Sequence, residues 1–139
     1  MNVDVEIQVA RPRAEVFDLM ADARNEEEWN SQVTSSELVT DEPIGAGTRF
    51  VTINRGQAYD ATITTYDRPN EVGFDVVGKT LEIVGTFRFA DAGGGTVVRA
   101  TFDMQPKGYM KVMLPLMAPL VRRDFPKQLN TFKEFCESR

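Results

Sequence analysis

The sequence predicts an α+β protein in which a curved antiparallel sheet of about seven strands packs against a long C-terminal helix, with two short helices after the first strand. Two observations predict this fold class. Residues 33–105 read as extended chain broken by short turns. Residues 110–136 carry apolar side chains three or four positions apart, which is the spacing of one helical stripe. A stripe of that length needs a large apolar partner, and the sheet is the only one the chain offers.

The first strand and the two short helices follow from local patterns. Residues 3–9 alternate between apolar and polar side chains, which predicts a half-buried strand. Pro12 suits the first position of a helix, and we predict a helix over 12–21. Asn25 is predicted to cap a second short helix that delivers Trp29. Together the two helices form a bracket on which the long helix can rest.

Six further strands are predicted between turns rich in Gly, Pro and Asn. Their predicted spans are 33–40, 48–54, 58–66, 71–77, 80–89 and 96–105. Short links between successive strands require antiparallel neighbours, so the first strand must return to one edge of the sheet. The absence of a βαβ repeat argues against the parallel-sheet folds that bind nucleotides.

Three prolines complicate the long helix. They are Pro115, Pro119 and Pro126. Each lacks an N–H and crowds the carbonyl four residues back, at a cost of about 3 kcal/mol in a helix interior. Pro119 fits a first-turn position, which predicts a main helix from about Ala118 and a separate segment over 107–116. That segment is either a mobile lid or part of the long helix. We also expect a kink at 122–125.

Length and composition indicate one domain, residues 1–139, with a core that needs no disulfide or metal. Hydrophobic residues make up 42% of the chain and charged residues 27%, which is the ordinary globular range and does not suggest disorder. The only cysteine is Cys136, so an internal disulfide is excluded. The chain has no histidine, which removes Ser-His and Cys-His nucleophile pairs and the common histidine metal sites. We expect neither a cofactor nor a metal.

Charge and hydropathy limit the partners. The net charge of −5 argues against nucleic acid, whose affinity comes mostly from cations that neutralise phosphates. The pair Arg122 and Arg123 is too short a basic run to change this, and the same reasoning disfavours anionic membranes. No stretch approaches the about 18 apolar residues of a membrane span, and no signal peptide is recognisable. The predicted location is the cytoplasm.

Several short motifs, taken in order, carry a resemblance to a known family. They are the run 10–22 followed by Trp29, the turn 45–48, the tetrapeptide 66–69, the hairpin 94–98 and the closing helix. In this order the chain resembles the START/Bet v 1-like helix-grip superfamily (SRPBCC), and within it the polyketide cyclase/dehydrase-like proteins. The likeness covers nearly the whole chain. It implies a small hydrophobic or amphipathic molecule, such as a lipid or an aromatic polyketide, held between the sheet and the long helix.

Strand phase and helix phase select the residues expected to face that molecule. Methionines gather where the last strand meets the long helix, and their flexible thioethers suit varied apolar shapes. A plain packed core is the alternative interpretation of the same stripe. We expect the ligand-binding residues to be Trp29, Tyr59, Ile63, Phe74, Phe87, Phe102, Met104, Met113, Met117 and Val121.

Catalysis is an open alternative. A polyketide cyclase or dehydratase needs a general acid or base inside the cavity, and strand phase places Arg88 and Arg99 on the outer face. Tyr59 is the one candidate catalytic residue, with a core tyrosine whose hydroxyl is satisfied as the alternative. The acidic run 26–28 is typical of a solvated first helical turn. A module that binds an apolar segment of a partner protein is the third possibility. We expect a monomer or a homodimer.

Overall fold

The structure, a computed structural model, describes residues 1–139 and contains seven strands and three α-helices. The elements in order are β1 (Asn2–Val9), α1 (Arg13–Ala21), a 3-10 turn (Ala23–Asn25), α2 (Glu26–Trp29), β2 (Val33–Leu38), β3 (Arg49–Asn54), β4 (Gln57–Asp67), β5 (Glu71–Val77), β6 (Leu81–Ala92), β7 (Gly95–Pro106) and α3 (Met110–Glu137).

All seven strands form one antiparallel sheet in the order β1-β7-β6-β5-β4-β3-β2. The strands after the helices pair with their neighbours in sequence, as short links require. The chain leaves β1 through α1 and α2, and β1 lies beside β7 at the opposite edge from β2. The predicted fold class is confirmed: a curved sheet of seven strands, two short helices after the first strand and a long C-terminal helix.

The hairpin between β6 and β7 is longer than the sequence predicts. Both strands have 12 residues, and the link between them is only Gly93 and Gly94, with φ of 56° and 87°. A two-residue hairpin turn favours positive φ at both central positions, which glycine adopts without strain. The ladder therefore continues to the pair Ala92 and Gly95, where the sequence predicts a longer turn.

Aromatic contacts fix the helical bracket against the sheet. The Phe17 ring of α1 packs edge-on against Tyr66 and Phe89, with centroid distances of 5.2 Å and 5.3 Å. Trp29 of α2 packs in the same way on Phe132 of α3, at 5.2 Å. Such pairs add about 1 kcal/mol beyond the burial of their area. The second half of α3 therefore rests on α2, as the predicted bracket requires.

Helix α3 is continuous from Met110 to Glu137, so the predicted break before Ala118 is wrong. Its prolines are all exposed and lie four and seven residues apart, along one solvent-facing edge. The carbonyls that lose an N–H partner lie on that edge, where water can hydrate them. Residues 110–119 are therefore part of the long helix.

The two halves of α3 are held differently. In the second half, Lys133 Nζ donates to the Gln8 carbonyl at 2.6 Å, and the Ala10 N–H donates to Glu137 Oε2 at 2.8 Å. Leu129, Phe132 and Cys136 of this half are buried. No side chain of residues 110–121 makes a hydrogen bond or an ion pair. Only apolar contacts hold the first half in place. None of the helices has the length and hydropathy that crossing a bilayer requires.

Candidate ligand-binding cavity

A cavity of about 340 Å³ lies between the concave face of the sheet and α3. Its volume falls at the lower end of the range for small-molecule pockets. Of the 27 residues that line it, 18 are hydrophobic. The lining combines residues of the two short helices, of strands β3 to β7 and of α3. The sheet curves around the helix, and the space between them is not filled by the protein's own side chains.

One wall of the cavity is a chain of aromatic rings. Phe74, Phe87 and Phe102 lie on neighbouring strands, with successive centroid distances of 6.2 Å and 5.5 Å. Phe125 of α3 continues the chain at 4.6 Å from Phe102. Gly85 lies among these rings and lines the cavity without a side chain of its own. The wall offers both ring faces and ring edges to an occupant.

The first half of α3 forms the roof. Its inward side chains are Met110, Leu114, Met117, Leu120 and Val121. The two methionines have three rotatable bonds and a polarizable sulfur, so this part of the lining can adapt to occupants of different shape. All the lining residues from β6 and β7, among them Leu81 and Met104, are apolar or glycine, so this part of the cavity wall is apolar.

Glu26 is the one carboxyl group that lines the cavity without a partner. It makes no hydrogen bond or ion pair, and its partly exposed surface borders the cavity. Removal from bulk water raises the pKa of Glu26 to about 7, since burial disfavours the charged form. Neighbouring carboxyls point elsewhere: Glu27 Oε2 accepts from the Ser36 N–H at 2.8 Å, and Glu28 pairs with Arg139 at 3.1 Å. The interpretation of the acidic run as fully solvated is wrong for Glu26.

Other polar groups gather at the same side of the cavity as Glu26. The Oε1 atom of Gln128 on α3 is buried and has no hydrogen-bond partner. Asn30, Thr52 and Asn54 complete this region from the loop after α2 and from β3. Strand β3 lies near one edge of the sheet, whereas the apolar end is built on β6 and β7. The cavity thus has a polar side and an apolar side.

The edge of the cavity between the β3–β4 hairpin and α3 is crossed by an ion pair. Arg55 at the hairpin tip has a left-handed φ of 51°, and its Nη2 lies 3.5 Å from Asp124 Oδ2. Both residues line the cavity, and Arg55 is exposed. An exposed pair of this kind contributes less than about 1 kcal/mol, so it can open readily.

Tyr59 lines the cavity near the ion pair of Arg55 and Asp124, and its ring packs over Gly78. A Cβ at Gly78 would lie 2.5 Å from a Tyr59 ring carbon, so only glycine leaves room for the ring. The Tyr59 hydroxyl has no hydrogen-bond partner. Burial, with a smaller contribution from nearby Tyr109, raises the pKa of Tyr59 above its ordinary 10. At neutral pH the phenol is protonated and can donate a hydrogen bond, but it is a poor base.

Most of the residues predicted from the sequence to bind a ligand lie around the cavity. Those that line it are Trp29, Tyr59, Phe74, Phe87, Phe102, Met104, Met117 and Val121. The structure places the other two elsewhere. Ile63 is 1% exposed and packs in the core where β4 bulges, and Met113 is 41% exposed on the outward side of α3. Whether the eight lining residues contact a ligand stays a prediction.

Sequence reasoning missed several lining residues, most importantly Glu26 and Gln128. A signal for Glu26 was present, because it precedes Trp29 by three residues and so shares its helical face. Gln128 lies four residues after Asp124, which gives these two polar side chains a common face on α3. Glu26 was excluded because the acidic run was assigned to a solvated first turn, and Gln128 because only apolar spacing was used to select residues of the long helix.

Comparison with known proteins gives one family and many similar structures. A family described as "Polyketide cyclase / dehydrase and lipid transport" matches residues 1–137. The protein TTHA0849 from Thermus thermophilus is 23% identical, with a TM-score of 0.75 and coverage of 98% of this chain and 97% of that chain. A START superfamily protein from Mycobacterium smegmatis is 14% identical, with a TM-score of 0.72 and coverage of 99% and 95%.

The protein named Ara h 8.0201 in its crystal structure is 15% identical, with a TM-score of 0.72 and coverage of 100% of this chain and 99% of that chain. No curated protein matches the sequence significantly. At these identities the structural likeness extends to the fold and not to a particular ligand.

Proposed function

The chain belongs to the polyketide cyclase/dehydrase and lipid transport family, of the START/Bet v 1-like helix-grip superfamily, and on that premise we propose that its cavity binds one small amphipathic molecule. The resemblance seen in the sequence is thereby confirmed. The single observation that carries the proposal is the cavity of about 340 Å³, with 18 hydrophobic residues in its lining and unpartnered polar groups at one side.

The apolar part of the cavity favours an occupant with a ring system or a single short chain. Its volume is small for a lipid with two acyl chains. The aromatic wall of Phe74, Phe87 and Phe102 supports a flat body that can stack or meet ring edges. The methionines of the roof support tolerance of different shapes.

The polar side favours a head that donates hydrogen bonds. Buried polar groups in proteins are nearly always partnered, yet Gln128 Oε1 is buried and has no partner. The half-buried Glu26 carboxyl at the cavity has no partner either. A hydroxyl or phenol on the occupant would satisfy either acceptor. A neutral hydrocarbon would leave both unsatisfied, at a cost of about 1–3 kcal/mol for each group.

Displacement of a fluorescent apolar dye from delipidated protein tests the proposal. Met117→Trp places an indole in the roof and should abolish dye binding, because the cavity has no room for both. Met113→Trp is the matched control on the same helix, since Met113 points outward, and should bind the dye as the wild type does. Equal dye binding by the two variants would show that the dye site lies outside the cavity and would remove the proposal.

The polar head is tested with 1-naphthol and naphthalene as probes. Glu26→Leu should weaken 1-naphthol binding about tenfold, the effect of one lost hydrogen bond to a charged or polar partner, and should leave naphthalene binding unchanged. A loss of the same size for both probes would assign Glu26 a structural role.

An enzyme of the polyketide cyclase/dehydratase type is the second candidate, and Glu26 is the observation that favours it. A carboxyl with a pKa of about 7 inside an apolar cavity is suited to general acid–base chemistry at neutral pH. Tyr59 would serve as a hydrogen-bond donor. The test is turnover of an aromatic polyketide-like substrate, with a pH profile that inflects near 7 and loses that inflection in Glu26→Gln. Absence of turnover by the wild type would reject this candidate.

Three further expectations stay proposals. They are a single domain over residues 1–139, a cytoplasmic location, and a monomeric or homodimeric state. Sedimentation of the purified protein and imaging of a fluorescent fusion in cells test the last two. No observation of the cavity favours an apolar peptide segment as its occupant over a small molecule.

A further inference from the structure

We propose that the outward face of the first half of α3 docks on the surface of an anionic lipid bilayer. This inference goes beyond the proposed function and does not depend on it. The feature that carries it is an outer stripe of large apolar side chains exposed to water. The outer stripe consists of Tyr109, Val112, Met113, Leu116 and Leu120.

The outer stripe is a continuous face. Its members follow one another at helical spacing, which places them along one side of the helix. Leu116 is 72% exposed, Val112 69% and Tyr109 62%. Isolated exposed apolar residues are ordinary, but a contiguous row on one helix marks a surface that is covered in use. The first half of α3 is thus apolar toward the cavity and apolar toward the outside.

The charge around the outer stripe is opposite to that of the rest of the protein. Residues 107–127 contain five cations and one carboxylate, for a net charge of +4, whereas the remainder of the chain carries −9 of the total of −5. Arg123 and Lys127 continue the face of the outer stripe at the next steps of three and four. Lys127 has no carboxylate partner, and Arg123 contacts only the neighbouring Asp124, at 3.6 Å. The net charge of the whole chain, which disfavours anionic membranes, conceals this local reversal.

An apolar row that is followed on the same face by Arg123 and Lys127 fits the interface of an anionic membrane. Apolar side chains of such a helix enter the boundary of head groups and acyl chains, while Lys and Arg meet the lipid phosphates. A second copy of this chain is a poorer occupant. A two-fold contact through the outer stripe would bring two segments of charge +4 together and would be opposed by their repulsion.

The position of the outer stripe relative to the cavity agrees with a bilayer. Leu120 belongs to the outer stripe and also lines the cavity, so the two apolar surfaces meet at this residue. No hydrogen bond or ion pair of a side chain restrains residues 110–121. A docked outer stripe would therefore bring the roof of the cavity to the acyl-chain boundary, where an apolar occupant can partition between the two.

Vesicle co-sedimentation of the ligand-free protein tests the proposal. The wild type should pellet with vesicles of phosphatidylcholine mixed with phosphatidylglycerol, less so at high salt, and not with phosphatidylcholine alone. Leu116→Asp should lower the partition coefficient by about tenfold or more. Val39→Asp is the matched control, because Val39 is 47% exposed just after β2, outside α3, and the charge change is the same. It should pellet as the wild type does.

Two further variants separate the causes. The double variant Arg123→Gln and Lys127→Gln should weaken binding to the mixed vesicles, and Met117→Trp, which fills the cavity, should not. The proposal is overturned if the wild type binds neither kind of vesicle, or if Leu116→Asp and Val39→Asp behave alike. It is also overturned if Leu116→Asp converts a dimer to a monomer on size exclusion, since the outer stripe would then be a subunit interface.

Discussion

Glu26→Gln should stabilise the protein in a pH-dependent manner. In the folded state the Glu26 carboxyl borders an apolar cavity without a partner, and its pKa is raised from 4.5 to about 7. Glutamine has nearly the same shape as the protonated acid and cannot ionise. The variant therefore isolates the free energy of holding a negative charge at this position.

The sign and the magnitude follow from linkage. Because the folded pKa is raised, the wild type has its full stability below about pH 4.5 and loses stability as the pH rises through 7. A rise of this size corresponds to about 3 kcal/mol as an upper limit, since Glu26 keeps some exposed surface toward the cavity. The two proteins should be equally stable near pH 4, and the variant should gain up to that amount above pH 8.

Urea unfolding at a series of pH values measures the difference. Trp29 is the only tryptophan and packs on Phe132, so its fluorescence reports the loss of the bracket contact. Glu28→Gln is the matched control on the same short helix. Glu28 is exposed and pairs with Arg139 at the surface, so its replacement should change the stability by less than about 1 kcal/mol. A stability difference for Glu26→Gln that does not vary with pH would refute the reasoning.

Three further experiments test the packing. Gly78→Ala should lower the Tm, because the new Cβ would lie 2.5 Å from the Tyr59 ring. Gly45→Ala is the control and should leave the Tm nearly unchanged, because a Cβ at Gly45 would have no atom within 4 Å. Equal changes in Tm for the two variants would contradict the close contact. Cys136 is buried and its pKa is raised to about 12, so the thiol should react with a disulfide reagent at about pH 8 only after unfolding. Phe132→Ala should cost about 3–5 kcal/mol in urea unfolding, and a cost below about 1 kcal/mol would show that α2 and α3 do not depend on this ring.

The sheet could be predicted because its signal is local. Alternation of apolar and polar side chains defines each strand, and the predicted span 71–77 has the bounds that the structure shows. The ends of β6 and β7 are predicted less well, since glycine counts as a break in a strand. Only the register shows that Gly93 and Gly94 make the whole turn and that Ala92 still pairs.

Helix α3 shows where local propensity fails. The prolines carry a penalty that assumes an interior helical position with no water near the freed carbonyl. Their common solvent-facing edge reduces that penalty, and the burial of Leu114 beneath them holds the first half to the sheet. Position relative to solvent is a tertiary property, so the continuous helix could not be read from spacing alone.

The candidate site could be predicted in its walls but not in its polar groups. Period-two alternation selects the inner face of a strand, which is why it finds Phe74, Phe87 and Phe102. It does not say where along that face the cavity ends, and Ile63 lies beyond it. Spacing assigns Met113 to the cavity, whereas the structure places it on the outward side of α3. The first half of α3 is apolar on two sides, and spacing alone cannot separate one stripe from the other.

The two apolar sides of α3 are best understood together. A helix that only roofed a cavity would gain solubility from polar residues at Val112 and Leu116, and exposing apolar residues there gives the isolated protein no stability. A helix that only docked on a lipid surface would not need Met117 and Leu114 over a cavity. Both faces belong to a segment whose side chains make no hydrogen bond or ion pair, next to Arg123 and Lys127. This arrangement is explained if the segment exchanges water for lipid on one side while it covers an occupant on the other.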